Sequence, residues 1–162
     1  MDDIMQKSDI NSENREWLER FVSKKGRFPE ILHIGNVAGN AYMNALLLNE
    51  NGFKCDVLCN DYYHSMGCPE WDEALVKQRD IDHNKPNWAN IDIGDFQRPR
   101  WFAQGPMWEC IEYLKERKLG NKRECDSAWR KLLILSKVVE VDEAELANLT
   151  NERKVSKFSS LL

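Results

Sequence analysis

The apolar and polar residues of this chain follow a pattern typical of an α/β protein. Residues 31–34 form an apolar run that is too short for a helix and ends at a glycine, which predicts a β-strand followed by a turn over residues 35–40. Residues 41–51 carry apolar side chains at helical spacing and end before Gly52, a residue suited to a left-handed helix cap. Residues 55–59 supply a second strand.

Two strands joined by one helix of about three turns are expected to lie parallel, because the chain must return to the same sheet edge through a right-handed crossover. Residues 30–61 are therefore predicted to open a Rossmann-like parallel sheet with flanking helices. In such sheets, ligands bind beyond the carboxyl ends of the strands, where turns direct backbone N–H groups and a helix dipole to one place. The turn over residues 35–40 lies at that edge.

The segment before the first strand, residues 1–29, predicts an amino-terminal docking helix. Ser12 is a suitable helix cap, and Gly26 followed by Pro29 ends the pattern. The residues expected on its apolar face are Trp17, Leu18, Phe21 and Val22.

Residues 60–100 show little periodicity and are rich in aromatic and acidic side chains, which predicts a long functional loop with short pieces of structure. Gly105 and Pro106 predict the start of a helix that ends before Gly120. Residues 30–120 thus make up the predicted α/β core.

Residues 121–162 predict a helical carboxyl-terminal tail. One helix is expected near residues 127–139, and Asp142 with Glu145 forms a possible capping box for a last one. The apolar residues expected on that last helix are Leu146, Leu149, Val155 and Phe158.

Length and composition favour a single domain over residues 1–162, since 42% of the residues are hydrophobic and no flexible linker divides the chain. The net charge of −4 lacks the basic excess that binding to a nucleic-acid backbone requires. No apolar run approaches the roughly 20 residues of a membrane span, and the first residues do not form a secretory signal. A cytoplasmic protein is expected, and its five cysteines are then expected to be reduced thiols.

The predicted turn carries the first candidate binding residues. Gly35 and Gly39 allow close backbone approach, while Asn36 and Asn40 can hydrogen-bond to hydroxyl groups or a phosphate. The glycine spacing differs from that of dinucleotide-binding turns, so no cofactor is predicted. A turn that needs glycine for its backbone alone is an equal alternative.

The second strand is followed by Asp61, Tyr62 and His64, which are expected at the same sheet edge. Asp61 could accept a hydrogen bond from a sugar or ribose hydroxyl, and His64 could act as a general base, because an imidazole titrates near neutral pH. These two residues are the catalytic candidates. The alternative is that both side chains cap backbone segments.

The composition of the long loop fits a carbohydrate ligand, because sugar rings offer a C–H face to tryptophan and hydroxyl groups to carboxylates. Trp71, Trp88, Glu70 and Asp72 provide both kinds of group, and Arg98 could hold a phosphate. The alternative is that the tryptophans pack in the core and that Arg98 is solvated.

The spacing of Cys55, Cys59, His64 and Cys68 approaches that of a small zinc knuckle. A strand rises ~3.3 Å per residue, so Cys55 and Cys59 would lie more than about 12 Å apart on one strand. That separation is too large for one tetrahedral ion, and no metal is predicted.

Five short runs of the chain carry a family resemblance: His33-Ile34-Gly35-Asn36-Val37-Ala38-Gly39-Asn40-Ala41-Tyr42, Asp56-Val57-Leu58-Cys59, Tyr62-Tyr63-His64, Met66-Gly67-Cys68-Pro69-Glu70-Trp71 and Arg98-Pro99-Arg100-Trp101-Phe102. Together they resemble the amino-terminal domain of bacterial glycosyltransferases of the GT-B fold, of the family 4-like kind. The resemblance covers about residues 31–120, and the block at 66–71 is its most distinctive part.

In that family two Rossmann-like domains face each other across a cleft; the first mainly binds the acceptor and the second binds the nucleotide sugar. The resemblance implies that this chain is one half of a GT-B architecture, with residues 35–40, Tyr62, His64 and Glu70 in the cleft wall. Its partners would be a nucleotide-sugar donor, a glycan or lipid-linked acceptor, and a donor-binding domain, which the chain lacks and which could act in trans.

This reading predicts a hexosyltransferase domain that is inactive alone. A stand-alone module that binds a nucleotide or sugar phosphate, and a subunit of a split enzyme, are the alternatives.

Overall fold

The structure is a computed structural model that describes residues 2–60, 62–74, 76–78, 80–142, 144–145 and 147–148, with side chains from Ser12 onward. The chain is α/β, with a parallel sheet flanked by helices. Its regular elements are α1 (Asp2–Lys25), β1 (Glu30–Ile34), α2 (Asn40–Glu50), β2 (Lys54–Asn60), α3 (Pro69–Glu73), β3 (Phe102–Gly105), α4 (Met107–Leu119) and α5 (Lys122–Leu135).

The three strands in the described part of the chain lie in the order β1-β2-β3, and both neighbouring pairs are parallel. Ile34 pairs with Leu58, and Leu58 pairs with Ala103. The predicted β1-α2-β2 unit is confirmed, and its elements begin and end within about two residues of the expected positions. The parallel sheet is compatible with a Rossmann-like fold.

Strand β3 was not predicted, since its four residues, Phe102–Gly105, have little strand character on their own. All four residues are buried between the helices on the two sides of the sheet, and this burial rather than their strand propensity keeps them extended. Gly105 is therefore the last residue of β3 rather than a helix cap, and Pro106 occupies the cap position of α4.

Helices cover both faces of the sheet and enclose the core. One face packs against α2 through Tyr42, Ala45 and Phe102. The opposite face packs against α4 and α5, and its buried residues are Leu58, Ala103, Cys110, Tyr113, Cys125, Trp129 and Leu132. Strand β1 lies at the edge of the sheet, where Leu32 and Ile34 remain exposed.

The long loop between β2 and β3 has a small core of its own. Cys68, Ile81, Trp88 and Ile91 are buried together, and short helical turns occur at Ser65–Gly67 and Trp88–Asn90. The loop therefore contains short pieces of structure, as predicted, and Trp88 packs in its core.

The outer helices differ from the prediction at their ends. Helix α1 begins at Asp2, so Ser12 lies inside the helix and does not cap it; Trp17 is exposed and Phe21 and Val22 are half-buried. Helix α4 ends as predicted, before Gly120, which has the left-handed φ of 75°. Helix α5 covers Lys122–Leu135, so it starts and ends earlier than expected.

Asp142 accepts a hydrogen bond from the backbone N–H of Glu145 at 2.7 Å, which is one half of the predicted capping box. The apolar residues predicted for that last helix, Leu146, Leu149, Val155 and Phe158, lie outside the described residues. Among the helices that are described, none is both long and apolar enough to cross a membrane.

Candidate functional site at the carboxyl edge of the sheet

The turn that follows β1 has an unusual backbone. Ala38 has φ 50°, and the next residue, Gly39, has φ 75°, so two consecutive residues adopt the left-handed conformation. A non-glycine residue pays a conformational cost there, and such strain is concentrated at functional sites. Asn40 follows as the exposed first residue of α2, and Gly35 is exposed before the turn.

Asn36 is 1% exposed, and its side chain links three segments. Its Nδ2 group donates to the carbonyl of Gly67 at 2.9 Å, and its Oδ1 atom accepts from the backbone N–H of Tyr42 at 2.9 Å. The second bond satisfies an N–H group in the first turn of α2. Asn36 therefore holds the turn against the long loop, and its amide does not face an open surface.

Gly39 is in contact with the short helix α3. A Cβ atom at this position would lie 2.8 Å from Oδ2 of Asp72 and 3.5 Å from the carbonyl oxygen of Met66. The positive φ of 75° favours glycine at this position, whereas a Cβ atom would only require the end of the Asp72 side chain to move. A carboxylate thus lies beside the amino-terminal end of α2, the position at which an anion would otherwise be favoured.

The carboxylate of Asp72 is partly withdrawn from water. Burial raises the pKa of Asp72, and the neighbouring carboxylate of Glu73 raises it further. Because Asp72 already contributes negative charge beside the turn, this edge of the sheet is better suited to a neutral ligand than to a phosphate.

Beyond β2, the predicted catalytic residue Asp61 lies outside the described residues. Tyr62 packs against Gly67 so closely that a Cβ atom there would lie 2.2 Å from the tyrosine ring. His64 accepts a hydrogen bond at Nδ1 from the backbone N–H of Met66 at 3.3 Å, and thereby caps the helical turn that follows it. The capping considered as an alternative role for His64 is present in the structure.

Four rings form a row along this edge. Tyr62 stacks on His64 with 6.3 Å between ring centroids, and His64 stacks on His83 at the same separation. Trp71 meets His83 edge-on at 5.2 Å. Ser65, which is fully buried, places its Oγ atom 2.9 Å from Nδ1 of His83. The structure thus brings Tyr62, His64 and Trp71 together, with His83 between the last two.

Glu70 and Arg98 do not belong to this row. Glu70 is 0% exposed and forms a paired ion bridge with Arg98: Nε to Oε1 and Nη2 to Oε2, both at 2.8 Å. The remaining Nη1 group of Arg98 donates to Oγ of Ser136 at 3.0 Å. Burial alone would lower the pKa of Arg98, but the charge and hydrogen bonds of Glu70 outweigh it and raise the pKa.

The cysteines considered for a zinc site are buried thiols. Cys59 and Cys68 both lie 3.7 Å from the side-chain nitrogen of Gln104, whose amide also donates to the carbonyl of Tyr62. Burial raises the pKa of Cys59 to about 11, so the group is a protonated, unreactive thiol at neutral pH. The described residues contain no group of three or more His, Cys, Asp or Glu side chains that could hold a metal ion.

Three residues of this edge were missed from the sequence: Ser65, His83 and Gln104. His83 lies 18 residues beyond Ser65 in a stretch without periodicity, so only the folding of the loop brings the two side chains together. Gln104 lies on the unpredicted strand β3. A histidine flanked by turn-forming residues in an aromatic loop is a weak signal, but it is the one signal that points to His83.

Comparisons with known proteins do not identify a relative for this site. No protein-family profile matches the chain, and neither the curated proteins nor the solved structures give a significant match.

Proposed function

We propose that this chain is a carbohydrate-binding domain that forms the acceptor side of a glycosyltransferase of the GT-B kind. The observation that carries the proposal is the row of Tyr62, His64, His83 and Trp71 beside the strained turn at the carboxyl edge of the sheet. This is the edge at which parallel α/β sheets bind ligands.

The row offers both kinds of contact that a sugar needs. Trp71 is 37% exposed, so part of its ring is available for the C–H face of a sugar. His64 and His83 contribute ring nitrogens that can hydrogen-bond to hydroxyl groups.

The position of Asp72 favours a neutral glycan over the alternative ligand, a nucleotide or sugar phosphate. Its carboxylate lies against Gly39, in the turn that would otherwise hold a phosphate. In addition, Arg98, the arginine considered for phosphate binding, is committed to Glu70 inside the protein. The acceptor side of a transfer reaction therefore fits the geometry better than the donor side.

In this proposal a second domain, on the same polypeptide or in trans, binds the nucleotide-sugar donor and supplies the groups that interact with its phosphates. The chain provides the acceptor wall, and by itself it is expected to bind a glycan without transferring sugar to it. Incubation of the purified chain with nucleotide sugars and glycans should give no hydrolysis and no transfer product.

The binding test uses a panel of simple mono- and disaccharides and a panel of UDP-, GDP- and TDP-sugars, with thermal shift and NMR titration as readouts. We expect glycans to shift the resonances of Trp71 and His83, and the Trp71→Ala variant to lose this response. Trp108→Ala is the matched control, since Trp108 is 68% exposed on α4. Binding of the nucleotide sugars alone, unchanged in Trp71→Ala, would overturn the proposal.

A further inference from the structure

The two histidines of the row share one hydrogen-bonding arrangement. Nδ1 of His64 accepts a hydrogen bond from the backbone N–H of Met66. A backbone N–H can only donate, so Nδ1 of His64 must be unprotonated, and the proton of the neutral ring must reside on Nε2.

The same argument applies to His83 through Ser65. Oγ of Ser65 lies 2.9 Å from Nδ1 of His83, and the serine side chain is fully buried. Among the described residues, Ser65 Oγ has no second hydrogen-bond partner. A buried hydroxyl proton without an acceptor is costly, so the hydroxyl is satisfied only by donating to Nδ1. The proton of neutral His83 is then also on Nε2.

From this arrangement we infer that His64 and His83 are a pair of fixed N–H donors that bind oxygen atoms of the ligand through Nε2. Neither ring is a general base in its resting form, because the nitrogen that could accept a proton is already engaged with the protein. The general-base role considered for His64 from the sequence is replaced by a binding role, and His83 joins it as a specificity-determining residue.

The ligand chemistry follows from the donors and from their surroundings. The two rings are stacked with 6.3 Å between their centroids, so their Nε2 groups belong to one continuous wall. Trp71 closes one end of the row, and the carboxylate of the next residue, Asp72, lies against Gly39 of the adjacent turn. Hydroxyl or ring oxygens of a glycan that stacks on Trp71 are the acceptors that this wall fits. The identification of the ligand as a glycan rests on the proposed function, whereas the assignment of the two Nε2–H donors does not.

The donor pair can be tested without any ligand. The chain has three histidines, so long-range ¹H–¹⁵N correlation spectra of the neutral imidazoles should contain three resolved patterns. We expect His64 and His83 each to populate the Nε2–H form alone, and Ser65→Ala to change the Nδ1 shift of His83 but not that of His64. A protonated Nδ1 on either ring would overturn the inference.

The contact with the ligand is tested with amide replacements. The amide nitrogen of glutamine can occupy the position of Nε2, whereas that of asparagine reaches only the position of Nδ1. We expect His83→Asn to weaken glycan binding about two- to tenfold, the loss that one hydrogen bond accounts for, and His83→Gln to restore most of it. His33→Asn, on β1, is the matched control.

Equal affinities for the two His83 variants would overturn the ligand contact. If both histidines carry the proton on Nε2 but no glycan binds, the proposed carbohydrate function is wrong, and the assignment of His64 and His83 as N–H donors is retained. If nucleotide sugars bind instead and His83→Asn weakens them, the donors serve phosphate oxygens and the inferred glycan ligand is wrong.

Discussion

Glu70 and Arg98 lie 28 residues apart in the chain and form a buried, two-pronged ion pair, with both N–O distances at 2.8 Å. Their side chains are 0% and 2% exposed, so neither charge is solvated by water. The pair joins α3, which is part of the candidate site, to the segment that leads into β3. It therefore fixes the position of the long loop on the sheet.

Removing one partner of this pair should be strongly destabilising, because it leaves the other charge buried and unpaired. We expect Arg98→Met or Glu70→Gln to lower the free energy of unfolding by about 3–5 kcal/mol, measured by urea denaturation. The double variant Glu70→Leu/Arg98→Met should recover much of the loss. As a matched control, Arg20→Ala removes the exposed pair with Glu16 and should cost less than about 1 kcal/mol. A loss of that small size at Arg98 would contradict the role assigned to the buried pair.

The two asparagines of the turn should behave differently on mutation. Asn36→Ala leaves a buried carbonyl and a helix N–H without partners, and we expect a loss of about 2–3 kcal/mol in the free energy of unfolding. Asn40→Ala, at the exposed first position of α2, should change stability by less than about 0.5 kcal/mol. Equal effects at the two positions would show that Asn36 is not the structural link described above.

Gly67 tests whether the position of Tyr62 matters for the row of rings. A Cβ atom at Gly67 would overlap the tyrosine ring, so Gly67→Ala should displace Tyr62 and cost about 1–3 kcal/mol. Chemical shifts of His64 should change with it. The double variant Gly67→Ala/Tyr62→Ala removes the overlap, and it should be more stable than the sum of the two single changes predicts.

Additivity in this double-mutant cycle would contradict the contact. Gly94→Ala provides a comparison, since no atom lies within 4 Å of its added Cβ and any cost there comes from the positive φ of 59°.

The raised pKa of Cys59 predicts a loss of stability at alkaline pH. The pKa of this thiol is about 11 in the folded protein against an ordinary value of 9.0, because burial disfavours the thiolate. The contribution of this buried thiol to the free energy of unfolding is therefore fully present below pH 9, and it is lost progressively as the pH rises from 9 to 11. A shift of this size corresponds to about 2–3 kcal/mol at pH 11.

The measurement is the pH dependence of urea unfolding in the wild type and in Cys59→Ala, with a reductant present. Tyr113, whose pKa burial raises to about 12, contributes in the same direction at higher pH in both proteins. The difference between the two slopes isolates the cysteine. Parallel slopes between pH 9 and 11 would contradict the raised pKa of Cys59.

Some of this protein could be predicted because the relevant signals are local. The apolar run of β1, the helical spacing in α2 and the glycine after it lie within 25 residues, and they define a β-α-β unit whose strands must be parallel. Gly120 ends α4 for an equally local reason, since its backbone adopts the left-handed conformation that other residues avoid.

The candidate site was predictable only as a location. Sequence reasoning placed Asn36, Tyr62 and His64 at one edge, and the structure brings their segments into contact there. It could not tell which side chains hold the segments together and which face outward. Asn36 and the Glu70–Arg98 pair proved to be internal links, because each of their polar groups found a partner that is distant in the chain.

The sequence by itself therefore determined the α/β class, the parallel β-α-β unit and the edge of the sheet at which the candidate site lies, since these depend on periodicity and on turn residues close together in the chain. The tertiary structure alone decided that residues 102–105 form a strand, that His83 lies between His64 and Trp71, and which nitrogens of the two histidines are engaged. Burial and long-range hydrogen bonding set these features, and neither leaves a pattern in neighbouring residues.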